Sequence, residues 1–183
     1  MNSSMTQPND PRKNFDLRSG VTIYPSQQKE IDQVLNDLLN DLPAHFILLA
    51  DTRGQIVTIA GVRGDNSIAA LGSLVAGDIA ASREMARITG EYREHQTIMR
   101  EGEETNMIVS EAGPHLVLLV QVLSHVPLGW SRLKMREVCE RLKEILEILP
   151  DREEVEQFEF NQETMSEQVR DAIDSIWLGD SGE

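Results

Sequence analysis

The sequence predicts an α+β fold: a five-stranded, mainly antiparallel sheet sandwiched by helices, in the order α-β-β-α-β-β-β-α. Three observations predict it. Apolar residues recur at helical spacing in three separate long stretches. Short apolar runs of β-forming residues fall between those stretches, first as a pair and then as a trio. The connections inside the pair and the trio are tight, and tight turns join antiparallel strands.

The first helix spans 26–42. Ile31, Val34, Leu35, Leu38, Leu39 and Leu42 form one apolar face. Ser26, after Pro25, is the expected N-cap, and Pro43 closes the segment. The strand pair is Phe46 to Ala50 and Ile56 to Ala60, joined by Asp51-Thr-Arg-Gly-Gln55. In that turn Gly54 can take a positive φ, and Asp51 can accept hydrogen bonds from the turn backbone. A second loop, 61–66, leads to Asp65 or Asn66 as the cap of the next helix.

The helix over 67–89 carries two patterns. Ile68, Leu71, Val75, Ile79 and Met85 form an apolar stripe. Ala69, Gly72, Ser73, Ala76, Gly77, Ala80 and Ala81 form a small-residue set. A helix-interior glycine costs up to about 1 kcal/mol against alanine, so two of them imply close approach of another backbone. That backbone is either the chain's own sheet or the helix of a second copy, and this stretch alone leaves both readings open.

Three strands follow: His95 to Arg100, Asn106 to Ser110, and His115 to Leu123. The last is apolar almost throughout and is the expected centre of the sheet. Pro127 opens a helix from Leu128 to Leu149, striped by Met135, Val138, Cys139, Leu142, Ile145, Leu146 and Leu149. Cys139 lies on the stripe and reads as a buried, inert thiol.

Composition bounds the rest. The chain has 183 residues, enough for one domain and tails, and a net charge of −14. Such a charge repels phosphate backbones and anionic lipid surfaces, so neither nucleic acid nor membrane is an expected partner. No apolar run is long enough to span a bilayer, and the N-terminus has no signal-like core. One cysteine excludes an internal disulfide, and the expected compartment is the cytoplasm. The charge is uneven: net +1 over 1–25, −6 over 26–149 and −9 over 150–183. Three zones follow: a flexible N-terminal tail at 1–25, a folded body at 26–149 and an acidic C-terminal extension at 150–183. Within the extension, Thr164-Met-Ser-Glu167 matches a capping box. An amphipathic helix over about 165–178 follows it, apolar at Met165, Val169, Ala172, Ile173, Ile176 and Trp177. That face needs a cover, either the chain's own body, another protomer or a separate partner.

Motifs for chemistry are missing. The sequence has no G-x-x-x-x-G-K-[ST], no G-x-G-x-x-G after a strand and no G-x-S-x-G elbow. The four histidines, His45, His95, His115 and His125, include no i, i+4 pair, and no calcium-loop pattern occurs. No catalytic residue, metal ligand or cofactor is assigned. An independent enzyme is the least favoured of the functional classes.

The element order, the Asp51–Gln55 hairpin and the small-residue helix together resemble the Roadblock/dynein light chain family. Leu128-Gly-Trp-Ser-Arg132 is similar to that family's L-G-x-x-R opening of the last helix, and the His115 to Val122 run is similar to the strand before it. The resemblance covers 26–149 and leaves out both tails. It implies a dimer whose middle helices pack antiparallel across a two-fold axis while the third strands join two sheets. Carried onto this chain, the interface takes Gly72, Ser73, Ala76, Ala80, Gln96 and Ile98. The resemblance also implies a homodimeric regulator of a cytoplasmic Ras-like small GTPase, acting on its switch region. The contact candidates are Arg83, Glu84, Arg87, Glu91 and Trp177, with Arg83 or Arg87 as the guanidinium that could serve as an arginine finger. Alternatively those side chains are ordinary solvated helix charges. The competing functional class is a scaffold or motor light-chain-like adaptor with no effect on GTP turnover.

Overall fold

A computed structural model describes residues 16–61, 68–90, 97–158, 160, 164, 167, 168 and 170. The elements are α1 (Pro25–Asp41), β1 (Ala44–Asp51), β2 (Ile56–Gly61), α2 (Ile68–Thr89), β3 (Thr97–Arg100), β4 (Thr105–Ala112), β5 (Leu116–Leu123) and α3 (Leu128–Glu147). Residues 152–158, 160, 164, 167, 168 and 170 are helical as well, so the C-terminal helix starts earlier than the expected 165–178, and Thr164 is not its cap: inside the helix, its Oγ1 donates to the Phe160 carbonyl one turn back, at 2.9 Å. The order is the one the sequence predicts.

All neighbouring strands pair antiparallel in a five-stranded sheet ordered β2-β1-β5-β4-β3. β1 and β5 are the inner strands of the apolar region, which is why Phe46 to Ala50 and Leu116 to Val120 are apolar without a break. Their side chains alternate between two cores. Ile47, Leu49, Leu118 and Val120 face α1 and α3, together with Ile31, Leu35, Leu38, Met135, Leu142 and Ile145. Phe46, Leu48, Val117 and Leu119 face α2, where Val75 and Ile79 of that helix join them in the core. The protein is therefore three-layered, with two helices on one face of the sheet and one on the other.

Helix ends on the two-helix face are finished by partners distant in sequence. Gln27 Nε2 donates to the carbonyls of Ile145 and Ile148, at 2.9 and 2.8 Å, and so satisfies the end of α3. In return the Ser26 amide donates to Glu154 Oε1 at 2.8 Å. Ser26 is thus not the N-cap; Tyr24 holds that position, and Pro25 fills the first helical site, where its missing N–H costs nothing. The thiol of Cys139 is pushed up to about 12 by burial, partly offset by a hydrogen bond with Ser110.

Two stripe assignments are corrected. Leu149 is exposed because α3 ends at Glu147. Met85 is exposed because six residues beyond Ile79 is more than one and a half turns, which carries it off the buried face. Residues 16–24, inside the stretch read as a tail, are built into the body. Leu17 and Ile23 are buried in the two-helix core. Buried Asp51 ties this segment to the β1–β2 turn: one carboxylate oxygen accepts from Ser19 N at 2.8 Å, the other from Arg53 N and Gln55 N at 3.0 and 2.7 Å.

Candidate protein-interaction interface

One helix is too narrow to cover one face of a five-stranded sheet. α2 buries Gly72, Val75, Ala76 and Ile79 against the sheet and leaves the β3–β4 side of that face half open. The result is a groove of about 490 Å³ between α2 and those strands. Leu71, Leu74, Val75, Met107 and Val109 supply its apolar lining, and Asp78 and Arg100 its charged rim. β3 is the edge strand beside it, with backbone groups on its outer side outside the sheet's own ladder.

The small-residue set divides between two surfaces. Gly72 is needed by the protomer itself. A Cβ there would lie 2.7 Å from the Gly54 carbonyl oxygen and 3.1 Å from Ile56 Cγ1. Gly54, at φ +86°, answers from the hairpin side: its own Cβ would lie 2.6 Å from Ser73 Cα. Helix and hairpin therefore touch backbone to backbone. Ala76 is buried against the chain's own sheet too. Gly77 is different, because a Cβ there meets nothing within 4 Å. Ser73, Ala80 and Ala81 are exposed beside it, and Leu74 is 68% exposed.

The structure thus turns Ser73 and Ala80, of the six expected interface residues, outward on α2. It half-buries Ile98 on β3 against the α2-side core. It turns Gly72 and Ala76 inward. Gln96 lies outside the described residues. Sequence reasoning did not single out Leu74. The signal was available: Ala70, Leu74, Gly77, Ala81 and Ile88, with Glu84 or Met85 between the last two, follow the alternating spacing of four and three that marks a helix seam.

Among the expected contact residues, Arg83 is held in place. Its Nε and a terminal nitrogen reach Glu111 Oε1 at 2.9 and 2.8 Å, and Glu111 is buried on β4. Glu84 and Arg87 form an exposed pair on the next turn, at 2.6 and 2.9 Å. The Arg87 hydrogen bond holds the Glu84 carboxyl below its usual range. At the groove rim Arg100 binds Asp78 through two parallel bonds of 2.6 and 2.8 Å, pinning β3 to α2. That hydrogen bond lowers the Asp78 pKa against a smaller opposing effect of burial. Glu91 and Trp177 lie outside the described residues. Among the described residues, no group of three or more His, Cys, Asp or Glu side chains could hold a metal ion. No helix among them is long and apolar enough to cross a membrane.

No family model matches the sequence, and no curated protein matches it. Solved structures do. The chain is 30% identical to MglB of Myxococcus xanthus, over 66% of this chain and 97% of that one, with a TM-score of 0.61. It is 28% identical to the gliding protein MglB of Thermus thermophilus, over 69% of this chain and 96% of that one, with a TM-score of 0.63. A Roadblock/LC7 domain from Streptomyces avermitilis shares the fold at 18% identity, over 64% of this chain and 98% of that one, with a TM-score of 0.58.

Proposed function

We propose that this chain, which belongs to the Roadblock family and to its bacterial MglB branch, is a non-catalytic homodimeric regulator of a cytoplasmic Ras-like small GTPase. The observation that carries the reading is the unfinished α2 face: an open glycine, an exposed leucine and an apolar groove on one side of one helix. An exposed apolar surface of this kind is uncommon on a protein that acts as a monomer.

In the dimer two α2 helices cross antiparallel about a two-fold axis. Ser73, Gly77, Ala80 and Ala81 let the backbones approach, and Leu74 of each copy enters the groove of the other. Such a contact is self-complementary and closes. The β3 edges, with Ile98, meet along the same axis and remove two open strand edges. Gly72 and Ala76 act one layer below, by seating α2 on its own hairpin and sheet.

The GTPase supplies the phosphate chemistry, since this sequence has no phosphate-binding loop motif. The regulator binds one conformation of the switch loops better than the other and shifts their population by that difference. Glu84 and Arg87 are the proposed contacts, with Glu91 and Trp177 as further candidates. Arg83 is the poorer choice for a mobile guanidinium, because leaving Glu111 would strand a buried carboxylate. Separating Arg87 from exposed Glu84 costs little.

Light scattering tests this directly. The mass is measured alone and with small GTPases of the same genome, each loaded with GDP or a GTP analogue. A dimer that binds one nucleotide state selectively is the expected result. A dimer that ignores every GTPase in both states favours the adaptor reading, and a strict monomer overturns the interface.

A further inference from the structure

α2 changes character past its middle. Its buried residues are Gly72, Val75, Ala76 and Ile79, and none lies beyond Ile79. From Ala80 to Thr89 the helix runs about 15 Å further at the helical rise without burying a residue. The positions in line with Ile79, one and two turns on, are Ser82, Arg83 and Ala86, each half-buried. On the other side Met85 and Ile88 are 61% and 72% exposed. Apolar packing on the sheet therefore fixes α2 as far as Ile79 and leaves its last turns to be held in another way.

An ion pair stands where the next apolar contact would be. Arg83 Nε and a terminal nitrogen reach Glu111 Oε1 at 2.9 and 2.8 Å. The Glu111 side chain is 3% exposed, and that of Arg83 39%. Glu111 sits on β4 opposite Val117, a member of the α2-side core. Such a pair adds little net stability over an apolar contact of the same volume, but breaking it leaves a buried charge alone. Two donors of one rigid guanidinium on one fixed oxygen restrict direction as well as distance. The pair therefore acts on where the helix end lies more than on whether the protein folds.

We propose that Glu111 is a positioning residue for the GTPase contact: through Arg83 it sets the height and rotation of the last turns of α2, and so the place where Glu84 and Arg87 are presented. The inference rests on the reading of Glu84 and Arg87 as that contact. Glu84 follows Arg83 directly and Arg87 lies one turn on, so both move with Arg83 as parts of one helix. Their own pair is exposed and internal to the helix, so it does not hold the helix to the body. Arg83 serves by staying on Glu111, and the GTPase meets the turn that Arg83 holds. Ser73, Leu74 and Gly77 come before the pair, on the part of α2 fixed by Val75, Ala76 and Ile79, so the two-fold contact depends on it much less.

The test measures binding of the full chain to a small GTPase of the same genome, loaded with GDP or a GTP analogue, with the particle mass followed alongside. Glu111→Gln keeps the shape of the side chain and removes its charge. It is expected to weaken binding to the preferred nucleotide state about tenfold while the protein stays a dimer. The amides of 83–89 are expected to exchange faster than in wild type, with those of 75–79 unchanged. The double variant Arg83→Met, Glu111→Leu replaces the pair by apolar side chains that hold the same turn, and it is expected to restore most of the lost affinity. Where Glu111→Gln does not fold, the double variant decides alone. A double variant that stays as weak as Arg83→Met means that Arg83 touches the GTPase itself, and overturns the proposal. Equal binding by wild type and Glu111→Gln overturns it as well, as does loss of the dimer together with loss of binding. A wild type that binds no GTPase in either state overturns the functional reading, and the positioning role falls with it.

Discussion

On one face of the sheet α1 and α3 lie side by side. They bury Ile31, Leu35, Leu38, Met135, Leu142 and Ile145; Gln27 of α1 satisfies the end of α3, and Glu154, beyond α3, satisfies the start of α1. On the other face α2 lies alone, with Leu74 in water and a groove beside it. Both faces of β1 and β5 are equally apolar, so the difference comes from the helices laid over them. The two-helix face is where an isolated protomer finds its stability. The one-helix face keeps apolar surface that stabilises the fold only when another molecule covers it. Measurements that treat the faces separately can break or sharpen this division.

Thiol chemistry should separate them most. With its pKa near 12, Cys139 has about 1000-fold less thiolate at pH 8 than a thiol at the ordinary value of 9.0. A thiol reagent should leave native Cys139 unlabelled and modify it on unfolding. A cysteine placed at Leu74 in the opposite face should react at an ordinary rate in the diluted protein and more slowly as concentration rises. Rapid labelling of native Cys139 would mean that the two-helix face opens, and would remove the contrast.

Truncation of the core comes next. Leu142 is fully buried between α3 and the sheet, and Leu142→Ala should cost about 2–5 kcal/mol in urea unfolding. Leu74→Ala should change the stability of the dilute protein by no more than about 0.5 kcal/mol. It should instead lower the concentration-dependent part of the stability, and a comparable loss from both substitutions in dilute protein would refute the division.

Two glycines in one helix sharpen it further. Gly72→Ala drives a methyl group into the Gly54 carbonyl, so hairpin or helix must shift, at about 1–3 kcal/mol. Gly77→Ala meets open space and should stabilise the dilute protein by up to about 1 kcal/mol. The same methyl should weaken the dimer. Opposite signs for stability and association at Gly77, with only loss at Gly72, are the expected outcome. A gain in both quantities at Gly77 would move the helix crossing elsewhere.

How much of this was legible follows the same division. The stripes Ile31-Leu35-Leu38 and Met135-Cys139-Leu142 face one core from one side, and a helix buried on one side writes a clear period into its sequence. α2 buries one side on its own sheet and hairpin and leaves small and apolar residues exposed on the other, so its inward and outward residues interleave. The small set could be recognised, but not divided into Gly72 and Ala76 facing in, and Ser73, Gly77 and Ala80 facing out. That division depends on where the hairpin comes to rest. Residues 16–24 showed no period because their anchor, Asp51, is 32 residues from Ser19. The expected cap at Ser26 failed for the same reason, since its partner Glu154 is 128 residues away. Arg83 looked like a surface charge because only the register of β4 brings Glu111 beneath it.

The smallest effect belongs to the rim of the groove, where the faces differ in solvent access. The Arg100 hydrogen bond holds the Asp78 carboxyl below its ordinary value of 3.8. The folded pKa is thus lower than the unfolded one, so the pair's contribution is complete above the ordinary value. It is lost as the pH falls through the lowered one. Both side chains are partly solvated, and screening limits the pair to about 0.5 kcal/mol or less in the dilute protein. Asp78→Asn should therefore lower stability slightly at neutral pH, and its difference from wild type should shrink to nothing in strong acid. Dimer formation over the groove would take water away from this rim. The cost of Asp78→Asn should then rise with protein concentration, because one partner of a desolvated pair is left alone. A cost that stays constant across concentration would mean that the rim remains in water, and that the second copy sits nearer the outer seam of α2 than the groove.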